Sequence, residues 1–289
     1  MRNLRTFTAL GSLALALASW SACAADASTA DKSGYTVFNP TPEDQMRGFC
    51  TDRPAKSNGP CTVDAGHFQL ETDLFNWTRS SIGGTSQNIF LYTNPTLKLG
   101  LTNRMDLEFN ISPFVQAKSS NNATGAKTDL KGIGDLFARI KYNVVGNDGG
   151  DLAVTLLPYV KLPTARLGIG NRSYEGGLIL PVSYALPMDF TLLVDPEIDV
   201  FRNSSNSGYH ANFQGLINIS RPIADNVTAA VEIWSDVNKD PAGTIRQWSF
   251  DAAVSWVVRP NLQLDIGANV GLNRATPDLQ AYIGISKRF

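Results

Sequence analysis

The stretch Ala281-Tyr-Ile-Gly-Ile-Ser-Lys-Arg-Phe289 closes the chain and alternates bulky apolar residues with small or polar ones. Extended, it places Ile283, Ile285 and Phe289 on one face and Tyr282, Gly284 and Ser286 on the other. A strand with an apolar outer face, ending on an aromatic, reads as the last strand of a sheet whose outer surface meets an apolar medium. The rest of the chain either supports that reading or removes it.

At the opposite end, Arg2 and Arg5 precede an apolar run from Phe7 to Ala18, followed by the small-residue site Ala22-Cys23-Ala24. The run is short of the roughly 20 residues a membrane helix takes, so residues 1–24 read as a cleaved signal peptide. A lipoprotein reading centred on Cys23 is disfavoured by Trp20, which stands where a small aliphatic residue is usual. Cleavage removes two arginines and takes the balance from 25 basic and 26 acidic residues to 23 and 26, a mildly acidic chain with no basic surplus for nucleic acid. It also leaves Cys50 and Cys61 as an even pair. Eleven positions apart in an exported chain, they read as a disulfide worth about 3 kcal/mol. Zinc or redox chemistry would need closer spacing or more ligands, and no metal or cofactor motif stands out.

From Gly66 onward twelve alternating segments can be drawn: His67 to Trp77, Asn88 to Leu101, Arg104 to Ala117, Ile133 to Val145, Asp151 to Leu162 and Tyr174 to Leu186, then Phe190 to Arg202, Tyr209 to Pro222, Val227 to Val237, Ile245 to Val258, Leu262 to Leu272 and Leu279 to Phe289. Each reaches the 9 to 11 residues of a tilted membrane strand. Short connections (101–104, 146–150, 187–188, 224–226, 260–261) alternate with longer polar ones (80–86, 118–131, 165–173, 203–208, 239–244). This is the asymmetry of an outer-membrane barrel, with short periplasmic turns and long outer loops. The expected fold is therefore an all-β transmembrane antiparallel barrel of about 12 strands over residues 66–289, with both termini in the periplasm. Phe289 then resembles the terminal signal read by the barrel assembly machinery, and the partners expected are that machinery, outer-membrane lipid and a small-molecule solute. Oligomeric state leaves no mark in the sequence.

Alternation assigns each strand an inside. Ile89, Leu91, Leu97 and Leu99 are expected toward lipid, opposite Asn88, Asn94, Thr96 and Lys98. A charge at the lipid midplane costs about 2 to 4 kcal/mol for Lys or Arg, so the charged faces must look inward. The expected lumen lining is Glu71, Asp73, Asp106, Glu108, Asp135, Asp195, Glu197, Asp199, Glu232, Asp251 and Asp265 with the bases Lys98, Arg139, Lys141 and Lys161. His67 and His210 are expected to point inward near strand ends, and Arg139 and Lys141 to pair across strands with Asp106 and Glu108. Such a lattice either fills the lumen or walls a narrow, cation-favouring path. Five prolines, Pro95, Pro113, Pro158, Pro181 and Pro196, fall in mid-strand, where a closed ladder has no place for them; bulges or kinks are expected there, and a kink that parts two strands would open a side window.

Residues 25–65 show no sustained period. Thr41 as N-cap with Pro42, Glu43 and Asp44 suggests one short helix ending near Gly48, in either a flexible periplasmic extension or a stapled lumen plug.

Several stretches resemble the outer-membrane proteins grouped under the MetA pathway of phenol degradation. Cys50-Thr-Asp-Arg-Pro54 with Pro60-Cys-Thr-Val-Asp-Ala-Gly-His-Phe-Gln-Leu-Glu71 is similar to that family's opening signature. Gly132-Ile-Gly-Asp-Leu-Phe-Ala-Arg-Ile-Lys-Tyr142 and Leu157-Pro-Tyr-Val-Lys-Leu-Pro-Thr164 resemble its central motif and the strand after it. Ala165-Arg166 departs from the glycine and acid expected next. The resemblance implies a barrel for passage of small, including hydrophobic or aromatic, compounds, and carries over no site residues. A structural or adhesive barrel with a closed lumen is the alternative. A barrel-embedded hydrolase is the third reading, and it would have to be built on His67 or His210.

Overall fold

The computed structural model describes residues 31–289, so the expected signal peptide lies outside the described residues. Strands cover the alternating segments of the sequence and, in places, the polar stretches between them. The segments are β1 (Phe68–Ile82), β2 (Thr85–Leu91), β3 (Thr96–Thr102), β4 (Met105–Ile111), β5 (Val115–Asn121), β6 (Lys127–Gly132), β7 (Leu136–Val145) and β8 (Leu152–Leu162). The second half holds β9 (Glu175–Ile179), β10 (Val182–Ala185), β11 (Thr191–Val194), β12 (Glu197–Arg202), β13 (Tyr209–Ala224), β14 (Val227–Asp240), β15 (Gly243–Arg259), β16 (Leu262–Gly271) and β17 (Leu279–Arg288). Five pairs, β2/β3, β4/β5, β6/β7, β9/β10 and β11/β12, are single passes broken in the middle, so the seventeen segments make twelve antiparallel passes. β17 pairs with β1 from Gln69↔Arg288 to Arg79↔Leu279, and the other edge of β1 pairs with β2 and β3. The sheet closes on itself and keeps no free edge.

Burial is inverted relative to a water-soluble fold. Lys141, Glu108, Asn143, Asn212, Asp106, Asp199 and Asp251 are fully buried, whereas Phe109, Ile140, Ile217, Ile233, Ile266 and Ile283 are exposed. Charge and amide therefore fill the interior, and the apolar band faces outward to lipid. In the closing strand Tyr282 and Ser286 are buried and Ile283 exposed, as its alternation requires.

Four of the five prolines sit in the breaks: Pro95 between β2 and β3, Pro113 between β4 and β5, Pro181 between β9 and β10, and Pro196 between β11 and β12. Without an N–H they cannot continue a ladder, and the chain kinks around them. Neighbouring backbone hydrogen bonds bridge the kinks: Ile111 N–H donates to the Pro95 carbonyl at 3.2 Å and Leu180 N–H to the Pro196 carbonyl at 2.9 Å. Pro158 differs. It stays within β8 and pairs with Leu178, while on its other side the ladder to β7 lapses between Arg139↔Tyr159 and Tyr142↔Leu156.

The kink at Pro95 shifts the phase of its strand and corrects one expected face. Ile89 and Leu91 are opposite Thr78 and Asn76, alternate with outward Trp77, and so face inward; Phe90, opposite Trp77, faces out. Beyond the kink Leu97 is 44% exposed and Lys98 buried, as expected.

Three of the expected long loops are mostly strand. β1 runs to Ile82 and turns on Gly83-Gly84, both with φ in the left-handed region that favours glycine; β5 and β6 extend through 118–121 and 127–131; β14 runs to Asp240 and pairs with Gly243. Above the lipid both strand faces are solvated, so the alternation that marks a strand in sequence disappears while the pairing continues. The short helix is likewise a single 3-10 turn, Glu43–Gln45, with Pro42 rather than Thr41 at its N-cap; Thr41 is buried, its N–H donating to the Ala65 carbonyl at 3.0 Å.

The segment before β1 lies first against the turn between β3 and β4, where Val37 N–H donates to the Leu101 carbonyl at 2.9 Å. It then enters the barrel. A Cβ on Gly100 would collide with the Asp64 carbonyl, and one on Gly284 with the Arg53 guanidinium, so the wall is bare of side chains where the segment crosses it.

Candidate functional site

Register alone builds a belt of inward side chains. Lys98, Glu108, Arg139, Tyr159, Gly177, Asp199 and Asn212 are successive cross-strand partners on β3, β4, β7, β8, β9, β12 and β13. Glu71, Thr96, Asn110, Phe137, Lys161 and Glu175 form the adjacent row. Partners directly opposite on one face stand close enough for their side chains to interact, so Lys98, Glu108 and Arg139 set opposite charges side by side on this part of the wall.

A loop closed by the Cys50–Cys61 disulfide reaches into this belt. Asp52 lies 2.7 Å from Lys141 Nζ and also contacts Lys98; Lys98 in turn lies 2.6 Å from Glu71, and Lys141 3.3 Å from Glu108. The Arg53 guanidinium donates to both oxygens of Asp265, at 3.1 and 2.7 Å, and to Asp73. Lys56 Nζ lies 3.2 Å from Asp251 and 4.3 Å from the centre of the Trp234 ring, and its backbone N–H donates to Glu232 at 2.9 Å. Asn58 N–H donates to Asp195 at 2.8 Å, and beyond the loop tip Val63 N–H donates to Asp106 at 2.8 Å. Most luminal carboxylates on this side are thus partners of the loop. Charge-assisted bonds of this kind are about twice as strong as neutral ones.

Burial acts on both signs of loop charge. It would push Asp52 up, but the Lys141 and Lys98 ammoniums more than offset that and hold its carboxyl well below the usual carboxylate range. Burial pulls Lys56 below its ordinary value, an effect Asp251 and Glu232 reduce without cancelling.

Beside the loop the lumen holds a cavity of about 500 Å³. Asp52, Lys56 and Asn58 form one side; Phe137, Tyr159, Ile179 and Phe201 give it apolar surface among Arg139, Lys161, Glu175 and Glu197. Its size falls within the roughly 300–1,000 Å³ of small-molecule sites. Lys161 bridges Glu175 at 2.6 Å and Asp135 at 3.4 Å, and Ala165 N–H donates to Asp135 at 2.9 Å, so the connection after β8 is latched against the start of β7.

The acids and bases expected to face inward lie in this belt and around the loop, but two expectations differ: the Arg139 pairing and the histidines. Arg139 has Glu108 as its register partner but makes no ion pair among the described residues, because Lys98 and Lys141 already approach that carboxylate. The histidines stand apart from the cavity and from each other: His67 joins the Thr41 and Phe289 carbonyls at 2.7 and 3.2 Å, whereas His210, on β13, contacts Asn203 at 2.9 Å. Sequence reasoning missed Phe137, Tyr159, Glu175 and Phe201, and the loop residues Asp52, Arg53, Lys56 and Asn58. The stapled signature around Cys50 and Cys61 was the one signal that marked the loop.

The profile of a family described as "Putative MetA-pathway of phenol degradation" matches residues 51–289. No curated protein matches the sequence. Among solved structures, the COG4313 outer membrane channel from Pseudomonas putida F1 aligns with a TM-score of 0.59 at 12% identity, covering 77% of this chain and 95% of that one. The NanC porin aligns at 0.48 and 10% identity, over 75% and 98% of the two chains. A CymD monoaromatic hydrocarbon channel aligns at 0.45 and 8% identity, over 77% and 88%. The first of these likenesses is one of fold, that of a bacterial outer-membrane β-barrel.

Proposed function

The chain belongs to this phenol-degradation MetA-pathway family, and from that premise we propose that it is a passive outer-membrane channel for small solutes, aromatic compounds among them. The observation that carries the reading is the luminal cavity of about 500 Å³, which sets the faces of Phe137, Tyr159 and Phe201 among fixed charges. An aromatic ring carrying a hydroxyl or carboxyl group would find apolar surface and hydrogen-bond partners in one place. The side chains of the charged belt line the path, and the Cys50–Cys61 loop narrows it. His67 and His210, on which a hydrolase reading would be built, lie apart from the cavity, which favours a transport role over a hydrolytic one. Folding by the barrel assembly machinery belongs to the same proposal.

For an apolar passenger the wall has a thin point. Gly176 and Gly177 leave β9 without side chains on either face, and outside them lies an apolar depression of about 560 Å³ lined by Val160, Leu178, Ile198 and Val200.

Solute flux into liposomes holding the purified barrel tests the reading. Phenol or benzoate should enter faster than into protein-free vesicles, and a saturable rate should fall when Phe137 and Phe201 are both replaced by Asp. Absence of ion current in a planar bilayer together with absence of flux would establish the closed-lumen alternative instead.

A further inference from the structure

Outside the barrel, the outward faces of β1, β2, β5 and β6 form three successive rows. Trp77, Phe90, Gln116 and Lys131 are register partners in the first, Arg79, Asn88, Lys118 and Asp129 in the second, and Ser81, Ser86, Ser120 and Lys127 in the third. Next to the first row lies an aromatic cluster in which Phe75 contacts Phe90 and Tyr92, and Tyr92 contacts Phe114, with ring centres 5.5 to 6.2 Å apart. Phe75, Tyr92 and Phe114 are exposed on the lipid-facing side. Aromatic girdles of this kind mark the boundary between hydrocarbon and headgroups. The basic residues begin at that boundary: Lys118 Nζ hangs 5.6 Å from the centre of the Phe90 ring, and Arg79, Lys127 and Lys131 are exposed around it.

We propose that this face binds the phosphate groups of an anionic glycolipid of the outer leaflet. Four cations face one acid, Asp129, which accepts two hydrogen bonds from Gln116 and lies 3.9 Å from Lys131. The surplus positive charge sits at headgroup height, with a shallow polar recess of about 340 Å³ lined by Ser86, Asn88, Lys118, Ser120, Lys127 and Asp129. Lysine and arginine supply donors to phosphate oxygens there, and the hydroxyls and amide can meet sugar. The acyl chains would then descend along the aromatic cluster. The assignment does not depend on what the lumen carries.

The test uses the folded barrel in detergent, titrated with diphosphoryl lipid A, with enzymatically dephosphorylated lipid A and with inorganic phosphate, and bound lipid counted by native mass spectrometry. The variant Lys118→Gln/Lys127→Gln/Lys131→Gln should bind diphosphoryl lipid A roughly 100-fold more weakly than the wild type, at about fivefold per basic residue held against an anionic lipid surface. The corresponding triple Lys→Arg variant should keep the binding, and Arg104→Gln, at the turn between β3 and β4, should leave it unchanged. The heat-dependent gel shift confirms that each variant is folded. Equal binding by wild type and the Gln variant, equal binding of the dephosphorylated lipid, or loss in the Arg variant would each overturn the proposal. Inorganic phosphate displacing the lipid at low millimolar concentration would overturn it too, by making this a site for a soluble anion.

Discussion

Tyr159 donates its hydroxyl to Asp199 at 2.7 Å across an intervening strand, and it can do so because Gly177 stands between them. A Cβ on Gly177 would collide with Asp199 Oδ1 and press on the Tyr159 ring. The glycine is thus a window through β9, and the bond it admits ties β8 to β12. Asp199 also accepts from Asn212 and Gln214, each at 3.0 Å, so it is satisfied without a cation.

Gly177→Ala should cost more stability than Tyr159→Phe. The alanine displaces a fully buried carboxylate from all its donors, whereas the phenylalanine removes one of three. A lost bond to a charged group is worth about 1.5 to 3 kcal/mol. The temperature at which the folded band disappears on a gel should fall further for Gly177→Ala. The reverse order would show that the strand tolerates a side chain there.

The seat of the Cys50–Cys61 loop should resist moderate acid. The Asp52 pKa is held below its unfolded value, so its contribution is fully present above the ordinary carboxylate pKa of about 3.9 and is lost only as pH falls through the lower folded value. Channel conductance should therefore show no Asp52-dependent step between pH 8 and pH 5. Asp52→Asn, which removes that charge at every pH, should raise conductance across the whole range. A wild-type step near pH 5 that the variant lacks would contradict this.

Reducing Cys50–Cys61 should loosen the same loop without unfolding the barrel. Closing a loop of this length contributes about 3 kcal/mol, and that loss falls on the loop, whose wall contacts are otherwise retained. Reductant should increase ionic current or its fluctuations in wild type and have no effect on a Cys50→Ser/Cys61→Ser variant, whose current should already be high.

Arg53→Ala should be among the most damaging of the loop substitutions. It leaves Asp73 and Asp265 buried without their cation, and breaking a buried pair costs about 3 to 5 kcal/mol. Arg53→Lys should recover only part, since an ammonium cannot reproduce the two-oxygen contact with Asp265. Thermal gel shifts on the two variants check the order.

Much of the barrel was legible because lipid imposes a period of two wherever it touches a strand. Ile283 against Tyr282 and Ile266 against Asp265 are readable residue by residue for that reason. Legibility fails where lipid does not reach. Lys118 to Lys131 look like a loop because the solvated parts of β5 and β6 are polar on both faces, and Ile89 and Leu91 read as outward because the phase change at Pro95 leaves no mark in the pattern. The charged belt followed from the same alternation, but its partners did not. Asp52, Arg53 and Lys56 lie in an aperiodic stretch, and only long-range contacts, such as Arg53 with Asp265 at 212 positions, give them a place.

Arg53 has one further role by virtue of where its two acids stand. Asp73 belongs to the first strand and Asp265 to β16, and between them runs β17, whose Gly284 lies directly beneath the guanidinium. The side chain therefore straddles the join at which the two ends of the sheet meet. Both of its partners are in position only once the cylinder has shut, so the full seat of Arg53 exists only in the closed wall. The residue that narrows the passage is also the clasp that fastens the ring.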